Sequence, residues 1–416
     1  MTGQPGFETT ARLDGRRGRA GVIHTAHGDI ATPAFIPVGT KAAVKGVLPR
    51  DVADVGAQAV LANAFHLYLQ PGPDIVEAAG GLAAFMGWPG PTFTDSGGFQ
   101  VMSLGAGFKK VIEMTVDADA VTDDRATAGG RRRLSRVTED GVDFTSPLDG
   151  SAHRFTPEVS MAIQHKLGAD IAFAFDELTT LRNTRAYQEQ SVARTQRWAG
   201  RCLDEHARLA ADDAGRPRQA LFGVVQGAQY EDLRRQACRG LVATRGPDGQ
   251  AFDGYGIGGA LEKSMIGSIV GWCSDELPDD KPRHLLGISE PEDLFVAVEA
   301  GADTFDCVNP SRVARNAAIY TARGRYNVTN ARFRRDFGPL EDGCDCLTCR
   351  SVSRAYVHHL FKAHELNAYT LATIHNERFT VRLVDDMREA IVAGRFDDFR
   401  DGWLAGWNGR GVSRAA

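Results

Sequence analysis

Eight short apolar runs punctuate this chain, most of them separated by stretches with helical spacing, and that alternation limits the fold more than any other feature. The runs are residues 33–38, 59–63, 91–95, 170–176, 221–226, 254–259, 284–289 and 304–308. Helical periodicity occupies 73–85, 157–167, 187–211, 230–243, 263–273 and 291–300. Nearly continuous apolar strands need cover on both faces, so they belong to a parallel sheet flanked by helices. Eight such units predict a closed (β/α)8 TIM barrel rather than an open doubly wound sheet. With 416 residues and 43% apolar composition, the chain can bury a core of that size.

Two segments interrupt the alternation. Residues 105–141 are polar and charge-rich, with Asp123, Asp124, Arg131, Arg132 and Arg133, and read as an inserted flexible loop. Residues 309–375 hold an arginine tract, a cysteine cluster and a helical stretch at 351–369. The expected division is a barrel over 1–308, an arginine-rich, zinc-binding subdomain over 309–375 after the last strand, and C-terminal helices over 376–416 that complete the barrel. The polar N-terminus lacks the apolar core of a signal peptide and no apolar run approaches a membrane span, so the expectation is a cytoplasmic protein.

Polar residues collect at the C-terminal ends of the strands: Asn63, Asp95, Asp176, Gln226, Gly258, Gly259 and Asp306. A single one reads as a cap or turn residue, but together they mark the face that carries active sites in such barrels. Asp95 precedes Ser96-Gly97-Gly98, where glycines let backbone amides approach a ligand and the carboxylate can exchange a proton. Asp306 stands just before the arginine tract. A carboxylate there can attack a sugar carbon and form a covalent intermediate, or merely hold arginines by ion pairing.

Net charge is −5, yet 311–335 contains no Asp or Glu and carries Arg312, Arg315, Arg323, Arg325, Arg332, Arg334 and Arg335 among Tyr320, Tyr326 and Phe333. Guanidinium forks and aromatic faces suit phosphates and unstacked bases. Cys344, Cys346 and Cys349 with His375 would fill a tetrahedral zinc and leave no open position, the mark of a structural ion. Spacing alone does not separate His375 from His358, His359 or His364.

The Asp95-Ser-Gly-Gly and Phe305-Asp306-Cys-Val motifs resemble the bacterial tRNA-guanine transglycosylases. So do Gly223-Val-Val-Gln226-Gly227, Asp253-Gly-Tyr-Gly-Ile-Gly258-Gly259 and the Cys-x-Cys-x2-Cys set, with the likeness running over nearly the whole chain. The resemblance implies exchange of guanine at the anticodon wobble position of tRNA for a 7-deazaguanine, preQ1 or queuine. It assigns Asp306 as nucleophile, Asp95 as general acid/base, and Phe99, Asp176, Gln226, Gly258 and Gly259 to the base. Arg312 and Arg315 fall to the anticodon loop, with Arg332, Arg334 and Arg335 as further RNA contacts. Cys344, Cys346, Cys349 and His375 fall to one structural zinc per chain, and a homodimer is implied. With its end soon after residue 400, the chain is expected to fall in the bacterial branch, without the extra RNA-binding domains of archaeal relatives.

Some positions depart from the family pattern. Leu178 stands where Cys is usual, Ala260-Leu-Glu262 replaces Leu-Ala-Val, Glu290 occupies a common Lys position, and Ala64 replaces a Thr that often supports the acid/base Asp. The first two leave the choice between preQ1 and queuine open. Rival readings are a glycosidase of free sugars, a non-catalytic RNA-binding partner subunit, and insertion of 7-deazaguanines into DNA.

Overall fold

The computed structural model describes residues 5–106, 135–247 and 249–408. All eight expected strands form: Ala34–Pro37, Val60–Ala62, Thr92–Thr94, Ile171–Phe173, Ala220–Val225, Gly254–Ile257, Arg283–Leu285 and Thr304–Cys307. They pair in parallel in chain order, the last returns to the first, and a bridge between Val38 and Leu61 joins the first to the second. The result is a (β/α)8 barrel.

Its interior is packed rather than hollow. Ile36, Phe93, Ile171, Phe173, Phe222 and Val224 point inward, each aromatic contributing about 1.5–3 kcal/mol by leaving water. Opposite strand faces, such as Phe35, Leu221, Leu285 and Phe305, pack against the outer helices. The end of the barrel away from the strand C-termini is plugged by an antiparallel sheet that the periodicity did not announce: Gly6–Arg12, Arg19–Thr25 and Gly28–Thr32. Its Ile23 and Ile30 join the barrel interior.

The helices track the apolar spacing closely, with Pro157–Leu167 and Pro291–Ala300 at the expected bounds. The helix expected over 73–85 is instead two, Pro73–Ala78 and Leu82–Met86, parted by Gly80 and Gly81 at φ +92° and +93°. The stretch at 351–369 likewise divides into Arg354–Lys362 and the start of Asn367–Val392, with His364 between them at φ +58°.

Of the expected insertion, residues 107–134 lie outside the described residues, and with them Asp123, Asp124 and Arg131 to Arg133. Its C-terminal end enters a three-stranded antiparallel sheet, Ser135–Val137, Val142–Thr145 and Ala152–Phe155. Phe144 and Phe155 pack on Phe65, just past the second strand, so this sheet backs the barrel mouth. After the eighth strand come the helix Asn309–Ala314, a hairpin of Ala318–Thr321 and Gly324–Asn327, and the cysteine loop. The 26-residue helix Asn367–Val392 runs under all of them and continues along the first barrel strand.

Candidate active site

The strand C-termini converge on three carboxylates, each held differently. Asp95, one residue beyond the third strand, is held from the neighbouring second strand end. Asn63 Nδ2 donates to its Oδ2 at 2.5 Å and the Ala64 amide to its Oδ1 at 2.8 Å. Gln100 Nε2 adds a third bond at 2.8 Å. A Thr at position 64 is therefore not needed to support this carboxylate. Burial nonetheless raises the Asp95 pKa, and the charge of Asp306 adds to the effect.

Asp176 sits beyond the fourth strand and is buried. Ser96 Oγ donates to its Oδ1 at 2.8 Å and Gln226 Nε2 to its Oδ2 at 2.6 Å. Burial pushes its pKa up to about 6, because those two bonds do not replace lost hydration. Close packing explains the glycines: a Cβ on Gly98 would stand 2.7 Å from the Asp176 carbonyl oxygen, and one on Gly259 2.6 Å from Gln226 Oε1. Phe99 opens the helix beyond the Gly97-Gly98 turn and is half-buried.

Asp306, in the eighth strand, makes no ion pair with an arginine among the described residues, which removes the bland alternative for it. Its Oδ1 is bonded to His284 Nε2 at 3.0 Å and to the Gly287 amide at 3.0 Å. His284 is wholly buried between Phe93 and Phe173, and its Nδ1 meets Thr304 Oγ1 at 2.8 Å. Since both contacts fall on Oδ1, Oδ2 is the oxygen turned to other work. Neither His284 nor Gly287 stands out in the sequence, because a polar residue inside an apolar run looks like pattern noise.

The cysteine loop and the long helix meet at a second centre. Cys344, Cys346, Cys349 and His375 bring four ligand atoms within 4.8 Å of one another. The three Sγ atoms lie 3.6, 3.7 and 3.3 Å from His375 Nδ1. Tetrahedral bonds of about 2.3 Å to sulfur and 2.1 Å to nitrogen predict edges of about 3.6 Å, so this set fits a metal ion. His375 Nε2 faces the Tyr320 carbonyl at 2.7 Å, which fixes the proton there and leaves Nδ1 free to ligate. His358 is occupied elsewhere, with Nδ1 at 2.8 Å from the Val328 carbonyl, while His359 and His364 are exposed.

A family model described as queuine tRNA-ribosyltransferase matches residues 14–409. The chain belongs to this family. A queuine tRNA-ribosyltransferase of Symbiobacterium thermophilum is 44% identical over 405 residues, 97% of this chain and 91% of that one. Proteins of the same name from Psychrobacter cryohalolentis and Pelotomaculum thermopropionicum are 42% and 41% identical, covering 92% and 97% of this chain and 92% and 99% of their own.

This family member also carries a group of basic side chains without carboxylate partners among the described residues. Arg312 lies in the short helix after Asp306 and Arg315 at its C-terminal end, and Arg332, Arg334 and Arg335 are exposed on the turn Ala331–Arg335. None of these five pairs with a carboxylate among the described residues. Lys41 and Lys45, in the loop after the first strand, lie near Arg312 and Arg315: burial, and then the charges of Arg315, Arg312 and Lys41, lower the Lys45 pKa. Those lysines lie far from the arginine tract along the chain, beyond what local charge patterning detects. Glu290 is spent internally, pairing with Arg325 and accepting from Asn309 Nδ2 at 3.0 Å. Glu262 is exposed at the start of the turn Lys263–Met265 and accepts from Ser264 Oγ at 3.1 Å.

Proposed function

We propose that this protein exchanges guanine at the wobble position of tRNA anticodon loops for a 7-deazaguanine by two displacements at C1′. The observation that carries the reading is the gathering of Asp95, Asp176 and Asp306 at one barrel mouth beside the cations Lys41, Lys45, Arg312 and Arg315. Asp306 Oδ2 attacks C1′, forming a C–O bond as the glycosidic bond breaks, and the bonding pair leaves on the guanine ring nitrogen. Asp95, whose raised pKa favours the acid form, delivers a proton to that nitrogen. The incoming base returns a proton to Asp95, attacks C1′ and releases the Asp306 carboxylate. Two inversions restore the original configuration, as in retaining glycosidases. Within the intermediate, Oδ1 becomes the ester carbonyl, facing His284 and the Gly287 amide.

Asp176 receives the N–H edge of the base, Gln226 and the Gly258–Gly259 backbone receive its carbonyl, and Phe99 stacks on the ring. Arg312, Arg315, Arg332, Arg334 and Arg335 hold the RNA phosphates. The ion at Cys344, Cys346, Cys349 and His375 is a zinc, one per chain, whose closed ligand set supplies structure alone. Residues 309–375 act as one RNA-binding subdomain, the enzyme works in the cytoplasm, and a second copy completes a homodimer. PreQ1 is the favoured base, with queuine the alternative. Among the described residues no helix is long and apolar enough to cross a membrane.

Incubation with radiolabelled guanine and either tRNA or duplex DNA tests the reading. Label enters tRNA alone; entry into DNA, or into neither, overturns it.

A further inference from the structure

Behind the base site lies a buried cation that the proposed chemistry leaves unused. Arg234, in the first turn of the helix Glu231–Ala243, is completely buried, and no carboxylate pairs with it among the described residues. Its hydrogen bonds run to main-chain carbonyls: Nε donates to Ala228 O at 2.8 Å, and Nη1 to Val225 O at 3.0 Å and Gly258 O at 2.8 Å. Nη2 has no hydrogen-bond partner, and neither does Gln226 Oε1. Both point at Gly259, where an added Cβ would meet Oε1 at 2.6 Å and Nη2 at 3.3 Å. A buried charge with idle donors is expensive, so the arrangement calls for a compensating gain.

We propose that Arg234 is a positioning residue for base recognition, one that locks the Gly258–Gly259 peptide plane with its N–H turned toward the carbonyl of a purine-like base. In a trans peptide the C=O and N–H point in opposite directions, so fastening the Gly258 oxygen to Arg234 sets the Gly259 N–H on the far side. That N–H donates to no described residue. Two glycines in succession, Gly259 at φ +86°, would otherwise let the plane turn over. Arg234 also ties the ends of the fifth and sixth strands together, so Gln226 and the Gly259 amide keep a fixed spacing. The guanidinium acts through the backbone and does not touch the base.

This inference rests on the base-exchange reading, and equilibrium binding separates the two. The probes are guanine and 6-thioguanine, which keeps the N–H edge but replaces the carbonyl oxygen with sulfur, a poor acceptor. Wild-type protein binds guanine more tightly. Arg234→Lys and Arg234→Met weaken guanine about 10- to 100-fold and 6-thioguanine far less, so the preference collapses. Parallel weakening of both bases, or an unchanged preference, overturns the assignment while the exchange reading stands. Wild-type protein that binds neither base refutes the exchange reading itself. If neither variant folds, ¹⁵N-glycine labelling of the wild type decides: guanine shifts the Gly259 amide resonance strongly and 6-thioguanine weakly, and an unmoved resonance refutes the role.

Discussion

At the level of single side chains, the three carboxylates differ in what holds them, and two of them predict a measurement. Asp306→Asn keeps shape and volume but loses the proposed nucleophile, so exchange should fall to background while tRNA affinity and melting temperature stay close to wild type. Near-normal turnover by this variant, or failure to trap a protein–tRNA adduct with the wild type on a denaturing gel, contradicts the assignment. Asp176 makes the pH prediction. Its pKa is raised to about 6, above the ordinary carboxylate value, so the folded state holds the proton more tightly than the unfolded chain does. Its stabilising share is therefore full at low pH and lost as pH rises through about 6, a cost of about 3 kcal/mol at neutral pH. Asp176→Asn accordingly melts higher than wild type at pH 7.5, and the gap closes near pH 4. Base binding runs the opposite way, because an N–H edge wants the ionised form: guanine affinity drops about tenfold per unit below pH 6, and a flat profile to pH 5 removes Asp176 from that role. Asp95, Asp176 and Asp306 are readable in the sequence because they stand at strand ends, Asp95 beside glycines and Asp306 just before the arginine tract. His284 and Arg234 are not. Inside an apolar run or a charged helix, nothing but three-dimensional packing tells a buried polar group from an exposed one.

At the level of elements, one helix joins the two centres. Asn367–Val392 carries His375 and, next to it, Asn376, whose Oδ1 accepts from the Tyr320 amide at 3.0 Å. Asn376 Nδ2 donates to Pro310 O at 3.2 Å and Ala318 O at 2.9 Å, the first of them shortly beyond Asp306 in the chain. Arg378 forks onto Asp345 at 2.8 and 2.7 Å, tying the cysteine loop to the same helix. Removing an ion held there would therefore loosen the cysteine loop and the hairpin that meets His375 rather than the reacting atoms. Chelation or Cys346→Ser should lower the melting temperature by a few degrees for each kcal/mol lost and weaken tRNA binding. Guanine affinity should change little. Metal analysis should return about one zinc per chain; a metal-free protein that melts like the native one ends the structural role. The cysteine spacing announces this centre, whereas spacing alone leaves four histidines; the family resemblance picks His375, and the fold sets it beside the three sulfurs. The antiparallel plug Gly6–Arg12, Arg19–Thr25 and Gly28–Thr32 is hard to read for a related reason: its strands are short, and the first alternates only between exposed and half-buried residues, so the segment passes for a tail.

For the whole molecule, the question is how a protein of net charge −5 holds a polyanion. Most arginines elsewhere are neutralised where they stand, as Arg19 is by Asp303 at 2.8 Å and Arg201 by Glu158 at 2.7 Å. Acid and base thus cancel over much of the surface, while the cluster of Lys41, Lys45, Arg312 and Arg315, and the exposed Arg332, Arg334 and Arg335, find no carboxylate partner among the described residues. A ligand of RNA size experiences that local field, because the Debye length near 0.15 M salt, about 8 Å, screens the distant acidic flanks. Affinity for tRNA should consequently fall steeply with salt, each phosphate contact adding about 0.7 to 0.9 to the logarithmic slope as counterions are released. Replacing Arg332, Arg334 and Arg335 with Ala should then lower the slope by roughly 2, if each meets one phosphate, and leave the affinity for free guanine unchanged. Measuring tRNA binding by fluorescence anisotropy between 50 and 300 mM salt, roughly the range where such slopes are resolved, checks both halves. A slope unaltered by the triple substitution puts the RNA on another face of the barrel, and a slope lost together with guanine binding shows that the turn supports the base site instead of the polyanion.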